Sequence, residues 1–196
     1  MITFSKSSIY VTVLIVSIFS CGFGLNAVSN SRNVHEVSAF LAKNKKNPEA
    51  VMLMIEDVCV ADGACVAFDK LTKAFDQAKI AIETIKSDRG LTVLHNACFR
   101  GFVRSLFGVL WIAKDPSDFI LACDQDGWSP LHYAAVHGHT KLVKILLKIA
   151  VRHDKVNDLI NIKNKQGATA LDLAQHYDQD YGRWDIIMLL SRSAKL

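Results

Sequence analysis

Proline is scarce in this chain of 196 residues, where it occurs only at Pro48, Pro116 and Pro130. Because proline interrupts both helices and central strands, the long stretches between these positions can stay regular. Runs that alternate apolar and polar residues, as half-buried strands do, are also few. The sequence therefore predicts a mostly helical protein, of a length that suits one domain with a sizeable core.

Signatures of catalysis and of metal binding are absent as well. The sequence has no Ser-His-Asp order, no glycine-rich phosphate loop and no HExxH pattern, and acidic pairs such as Glu56-Asp57 fit solvated helix ends. No second close cysteine pair accompanies Cys59 and Cys65, which argues against zinc. A formal net charge of only +4, spread along the chain, argues against nucleic acid. We therefore expect a non-enzymatic protein with no cofactor and no metal.

The first 27 residues have the layout of an export signal. Lys6 precedes an apolar run over 9–19, which is shorter than the roughly 20 residues of a membrane span. A secretory signal peptide cleaved after Ala27 is the preferred interpretation of residues 1–27. Two alternatives stay open: lipidation of Cys21 in IFSC, which resembles a bacterial lipoprotein box, and a retained N-terminal anchor. Each predicts a folded part outside the cytoplasm, whether periplasmic, extracellular or anchored to a membrane.

An exported chain folds under oxidising conditions, where cysteines can pair. Cys59 and Cys65 flank Ala-Asp-Gly in CVADGAC, a plausible turn between two helices. Their spacing allows a disulfide that staples this turn, and two free, partly buried thiols are the alternative. Peptide mapping without reduction distinguishes the two.

Residues 28–86 are predicted to be a helical N-terminal region. A capping-box spacing of Asn33 and Glu36 starts one helix. Asn47 followed by Pro48 starts a second, which Gly63 ends. Apolar residues in steps of three and four then predict an amphipathic helix over 66–86.

From residue 87 onward the sequence repeats itself. Three segments align: LTVLHNACFRGFVRSLFGVL at 91–110, WSPLHYAAVHGHTKLVKILL at 128–147 and ATALDLAQHYDQDYGRWDIIMLL at 168–190. Their equivalent leucines, Leu94, Leu131 and Leu171, are 37 and then 40 residues apart. A period of this size is typical of stacked structural repeats.

The second segment, with SPLHYAA, a Gly-His turn and an apolar second helix, closely resembles the ankyrin repeat and its TPLHxAA opening. The first departs from the pattern at Val93, Cys98 and Phe102. The third has Asp172 for the histidine and a four-residue insertion before Gly182-Arg183. The resemblance implies an all-α solenoid of helix-turn-helix units over 87–196. Its repeats would span about 87–123, 124–163 and 164–196.

The periods exceed the usual 33 residues or so, which predicts longer loops between repeats at 111–122 and 148–160. Residues 34–86 are either degenerate repeats or a separate helical cap. Within a repeat, small Ala134 and Ala135 let two helices approach closely, and Gly138 permits the left-handed geometry that ends the first helix.

Three histidines within eight positions, His132, His137 and His139, raise the question of a metal site. The resemblance implies structural hydrogen bonds for His132, as for His95 in the first repeat, and a structural turn position for His139. His137 lies where the family varies. Different roles for the three side chains argue against convergence on one ion.

The resemblance further implies a concave binding face made of turn tips and the ends of first helices. Its predicted partner-binding residues are Asp88, Arg89, Leu91, Phe99, Arg100, Gln125, Asp126, Trp128, Val136, His137, Lys165, Gln166, Ala168 and His176. Aromatic and arginine side chains are favoured hot spots, which favours Trp128, Phe99 and Arg100, although Trp128 and Phe99 could instead pack within the fold. Trp111 and Trp184 adjoin second helices and are predicted to be packing residues.

The sequence thus predicts an exported protein-binding module, an adaptor or inhibitor that holds a protein partner on its concave face. One alternative is an envelope scaffold held at the membrane only through its N-terminal segment. Another is a bacterial effector delivered to a host cell.

Overall fold

The computed structural model describes residues 34–61, 64–177 and 183–193, with only the backbone at 59–61 and 64–68. Helices α1 to α3 span Val34–Lys43, Pro48–Ala61 and Ala64–Ala78. Helices α4 to α11 span Val93–Arg100, Val103–Ile112, Pro116–Leu121, Pro130–Val136, Thr140–Arg152, Val156–Ile160, Ala170–His176 and Trp184–Ser193. The described residues form no strand beyond one isolated bridge, Lys86 to Thr92. The predicted all-α class is confirmed.

The predicted helix over 66–86 is wrong in its last turns, because α3 ends at Ala78. Lys79 adopts a positive φ of 53°, and the N–H of Ile80 turns back to the carbonyl of Phe75 at 3.2 Å. Ile82 and Ile85 are nevertheless buried, presented by a short 3-10 turn at Ile82–Thr84. The apolar spacing therefore predicted burial correctly and helix continuation incorrectly.

The helices stack in two layers. First helices α2, α4, α7 and α10 pack side by side, and second helices α3, α5, α8 and α11 form the other layer. The pair α2–α3 packs on α4–α5 as α4–α5 packs on α7–α8, and α1 packs on α3. This placement favours degenerate repeats over a separate cap for the N-terminal region. None of the helices in the described ranges is long and apolar enough to span a membrane.

The predicted loops at 111–122 and 148–160 are partly helical, which corrects that prediction. Helix α5 continues to Ile112 and α8 to Arg152, and the short helices α6 and α9 lie within the connections. Asp115 caps α6 by accepting the Ser117 N–H at 2.9 Å, as N-cap aspartates do. The extra residues of the long period therefore fold onto the stack.

The turns at the start of the three repeats form a row of tips, and neighbouring tips are joined by backbone hydrogen bonds. The N–H of Gln125 donates to the carbonyl of Arg89, and the N–H of Lys165 to the carbonyl of Asp126, both at 2.9 Å. Gly127 has a φ of +78°, and a Cβ there would stand 3.0 Å from the backbone of Asn164. Glycine is needed at this tip both for its conformation and for the close approach of the next turn.

Candidate functional site

His95 links the first repeat to the second. Its Nδ1 atom accepts the backbone N–H of Thr92 at 3.1 Å, and its Nε2 atom donates to the carbonyl of Trp128, 3.0 Å away in the next turn. Since a neutral imidazole carries one N–H, these partners assign the hydrogen to Nε2. The structural role that the resemblance implies for this histidine is confirmed.

His132 makes the corresponding pair of bonds one repeat later. It accepts the N–H of Ser129 at 3.1 Å and donates to the carbonyl of Ala168 at 3.2 Å. In the third repeat Asp172 takes this position, and its carboxylate accepts the N–H and the hydroxyl of Thr169, both at 2.8 Å. An ionised carboxylate has no hydrogen to donate. Asp172 therefore caps its helix as the two histidines do, but it cannot donate a hydrogen bond to the carbonyl of a following turn.

Both imidazoles are held in the neutral form. Burial lowers the pKa of His95 to about 4 and also lowers the pKa of His132. The unfolded value is about 6.5, so between these two values the unfolded chain binds protons that the native state excludes. The stability contributed by the neutral rings is therefore complete above about pH 6.5 and is lost as the pH falls towards 4.

We expect the free energy of unfolding to fall by about 2 kcal/mol between about pH 7 and pH 5 from His95 alone, with a further loss from His132. Urea unfolding followed by circular dichroism at the two pH values measures this difference. His95→Gln should reduce the pH dependence, because it removes the buried ring whose pKa is lowered. Equal stability at the two pH values would contradict neutral, buried rings.

The residues that precede α8 and α11 reach back to the preceding repeat. His139 donates from Nε2 to the carbonyl of Phe99 at 3.2 Å. Its ring faces that of His137 at 6.2 Å between centroids, while His132 is engaged elsewhere. The described residues contain no group of three His, Cys, Asp or Glu side chains that could hold a metal.

Arg183 stands where the second repeat has His139, and sequence reasoning did not single it out. The residue is only 5% exposed. Its guanidinium donates to the carbonyls of Ala135, at 3.2 Å, Val136 and Tyr177. Arginine thereby caps the carboxyl end of α7, where a cation is favoured by the helix dipole. The alignment of Gly182-Arg183 with the Gly-His turn was the signal that could have found it.

Five predicted binding residues lie together on the turn tips. The carboxylate of Asp126 accepts a hydrogen bond from the guanidinium of Arg89 at 3.4 Å and lies 3.9 Å from the ammonium of Lys165. Positive and negative charges therefore alternate along the tips. The Gln125 amide donates to the Asp88 carbonyl at 2.7 Å. Exposed ion pairs of this kind contribute little stability. The charged side chains of the tips therefore remain available as polar groups at the rim of the concave face.

Aromatic rings lie beside the tips, and one of them was missed. Phe99 contacts His137 edge to face with centroids 4.6 Å apart, and Trp128 lies 5.2 Å from Tyr133. Tyr133 connects the two pairs, since its ring is also 6.3 Å from Phe99. Its hydroxyl donates to Asp124 at 2.7 Å, and burial together with this carboxylate raises the pKa of Tyr133. Tyr133 occupies the variable position of the TPLHxAA pattern, and this position was the sequence signal that could have identified it as a surface residue.

A pocket of about 560 Å³ opens between the second and third repeats. Four predicted residues line it: Asp126, Trp128, Gln166 and His176. Four further lining residues were not predicted, namely Tyr133, Asn164, Leu173 and Tyr177. Concave pockets with aromatic walls and a few polar groups are where anchor side chains of a partner bind.

The remaining predicted residues are less available. Leu91, Val136 and Ala168 are half-buried. The side chain of Arg100 is 18% exposed and its guanidinium pairs with Glu49 of α2. Arg100 therefore ties the first repeat to the N-terminal helices, and its replacement would disturb the fold as well as any partner contact.

The prediction that Trp111 and Trp184 are packing residues is wrong. Trp111 is 70% exposed and Trp184 is 66% exposed. Both lie on second helices, and their indole rings are directed outwards although the apolar spacing around them suits a core. Only the packing of the layers decides which side of such a helix is covered.

Several predictions fall outside the described residues. These are the export signal at 1–27, the lipidation of Cys21 and the side chains of Cys59 and Cys65. Their disulfide stays a prediction. Of the described cysteines, Cys98 is buried and Cys123 exposed, and both are free thiols.

Known proteins share this repeat. The family model for ankyrin repeats (3 copies) matches residues 25–157 and 94–195. The chain is 36% identical over 92 residues to calmodulin-binding transcription activator 5 of Arabidopsis thaliana, covering 47% of the chain and 9% of that protein. It is 40% identical over 62 residues to the probable E3 ubiquitin-protein ligase XBOS32 of Oryza sativa subsp. japonica, covering 32% and 10%.

A third relative is the transient receptor potential cation channel subfamily A member 1 homolog of Caenorhabditis elegans, 34% identical over 105 residues, with 54% of the chain and 8% of the channel covered. The chain therefore spans no more than 10% of the length of these three proteins. Ankyrin repeats are protein-interaction modules and are generally not enzymes. With its repeat pattern, its two-layer stack and a family match that covers most of its length, the chain belongs to the ankyrin-repeat family.

Proposed function

We propose that this protein is an exported adaptor or inhibitor that holds another protein on its concave face. The partner contacts the turn tips and the ends of the first helices, and it inserts an anchor side chain into the pocket between the second and third repeats. No catalytic step is involved. The module acts by positioning or blocking its partner.

One observation carries this proposal: the aromatic rings beside the tips remain accessible although they touch one another. Phe99 is 48% exposed, and Trp128 and Tyr133 are half-buried in the pocket wall. Rings that are held rigidly by neighbours lose little conformational entropy on binding. The alternating charges of Arg89, Asp126 and Lys165 at the tips supply the polar rim that surrounds such anchors in protein interfaces.

Replacing Trp128 with alanine should weaken partner binding by about 2 kcal/mol, roughly thirtyfold. The ring forms one wall of the pocket beside Tyr133, so its loss removes the main apolar contact for an anchor. The full chain serves as bait in a cross-linking pull-down from its native compartment, and the dissociation constant of the captured partner is then measured by titration. Phe99→Ala should weaken the same complex, because Phe99 extends the aromatic cluster towards the first repeat.

Trp184→Ala is the matched control, since it removes an equally large ring from the other layer. It should leave the dissociation constant unchanged. Melting temperatures of all variants separate binding from folding. Normal affinity in both Trp128→Ala and Phe99→Ala would place the binding surface elsewhere.

Export of the chain is part of the proposal and rests on the sequence of residues 1–27. Mass spectrometry of the native protein should find a mature chain that begins at Val28, or at a lipid-modified Cys21. A cytoplasmic protein that retains Met1 would contradict export. That result would not decide whether the concave face binds a protein, which the Trp128 and Phe99 variants test separately.

A further inference from the structure

A second surface lies on the layer of second helices and shares no residue with the concave pocket. A groove of about 390 Å³ runs between α5 and α8. Phe107 and Trp111, one helical turn apart on α5, form one side and are 50% and 70% exposed. Ile145 of α8 contributes to the apolar floor. Exposed rings that adjoin one another in this way are unusual on a surface that meets only water.

Cations line the opposite side of the groove. Lys144, Lys148 and Arg152 are spaced by four residues on α8, so they form one row about 12 Å long. All three are exposed, and no ion pair engages them within the described part of the chain. Of the described residues that line the groove, none is acidic.

The chemistry of the lining restricts the ligand. Apart from the ring of His153 and the indole N–H of Trp111, the lining side chains offer hydrocarbon and cationic donors and no oxygen. A polypeptide backbone or a sugar would therefore find few groups to accept its N–H or O–H hydrogens. A phospholipid surface is complementary to this lining. Its anionic headgroup oxygens pair with the cations, and its acyl chains accommodate the aromatic rings.

We infer that the α5–α8 face docks on a membrane surface rich in anionic phospholipid. Trp111 and Phe107 enter the interface between headgroups and acyl chains, as tryptophan does at membrane boundaries. Lys144, Lys148 and Arg152 lay their aliphatic stems along the apolar floor and direct their charges to the headgroups. The concave face is left free to hold a protein partner at the same time.

The test uses the full chain with Trp111 as its only tryptophan, through Trp128→Phe and Trp184→Phe. Its fluorescence is followed with vesicles of phosphatidylcholine and phosphatidylserine whose acyl chains carry bromine. Bromine quenches only a ring that enters the bilayer, so association through another segment alone leaves Trp111 unaffected. We expect quenching with these vesicles and far less with phosphatidylcholine alone.

Charge and position are tested by matched variants. Lys144→Gln, Lys148→Gln and Arg152→Gln together should weaken the quenching titration at least about tenfold. Lys73→Gln, Lys86→Gln and Lys163→Gln remove three exposed charges that do not line the groove and should have little effect. A chain whose only tryptophan is Trp128 should not be quenched, because that ring lies at the turn tips.

Several results would overturn the inference. One is an unquenched Trp111 on the anionic vesicles, with circular dichroism showing a folded chain. Another is equal quenching on neutral vesicles or in the groove variant. Binding of an acidic peptide at Trp111 without any response to vesicles would identify a polypeptide as the occupant instead. None of these results depends on whether a protein binds the concave face.

Discussion

Replacing Arg183 with leucine should lower the free energy of unfolding by about 3–4 kcal/mol, because hydrogen bonds from a charged donor contribute about 1.5–3 kcal/mol each and their loss leaves buried acceptors unpaired. The guanidinium joins the third repeat to the second through the carbonyls of Ala135 and Val136, and it also holds the carbonyl of Tyr177. Leucine fills part of the volume and supplies no donor. Urea unfolding measured by circular dichroism gives the change.

A repeat stack can lose its last unit separately, so the same variant needs a local probe. Trp184 is the first residue of α11, and with Trp111→Phe and Trp128→Phe in the background its fluorescence should report unfolding of the third repeat at a lower urea concentration than the helical signal as a whole. Arg183→Lys should be intermediate, since an ammonium cannot fork between carbonyls as guanidinium does. Arg192→Leu, at an exposed position of α11, is the matched control and should be nearly neutral. Wild-type stability in Arg183→Leu would contradict the assigned capping role.

Replacing Ala134 with leucine should cost about 3 kcal/mol, at the upper end of the usual range for overpacking. Ala134 is fully buried on α7, and α7 packs against α4 on one side and α10 on the other. Additional methyl groups at this position force the first helices apart, and the layer cannot open on one side without moving its neighbours. Thermal and urea unfolding both measure the loss.

His137→Ala is the comparison for this variant. His137 lies one helical turn further along and is exposed, so its loss removes only ring contacts with Phe99 and His139. We expect a change within about 0.5 kcal/mol, as for most surface substitutions. Similar losses in Ala134→Leu and His137→Ala would mean that the faces of α7 are wrongly assigned.

Local chemistry made the repeat predictable from the sequence. The caps of the first helices at Thr92 and Thr169 involve residues three positions apart. The glycine of each turn and the small residues of the first helix depend in the same way on near neighbours. Such features recur with the period because each repeat forms the same local caps and turns. The structural role of the motif histidine came instead from the resemblance to the ankyrin repeat, since its bond to the next turn joins residues 33 positions apart.

Amphipathic spacing was informative about burial and less so about element ends. Ile82 and Ile85 continue the apolar stripe of α3, yet the helix stops at Ala78 and the two side chains reach the core from a turn. An apolar stripe in the sequence indicates which residues are buried. Both a helix and a turn that folds back can satisfy it, so the choice depends on what the chain packs against.

Tertiary structure alone decided the surfaces. Arg100 and Glu49 are 51 positions apart, and only the stacking of α2 on α4 brings the ion pair together. The pocket joins Trp128 of one repeat to Tyr177 of the next, and the outward direction of Trp111 follows from which side of α5 its neighbours cover. Short-range hydrogen bonds and backbone preferences involve residues only a few positions apart, so they could be inferred from the sequence. Contacts between repeats depend on the sum of many packed helices, which no single segment of the sequence contains.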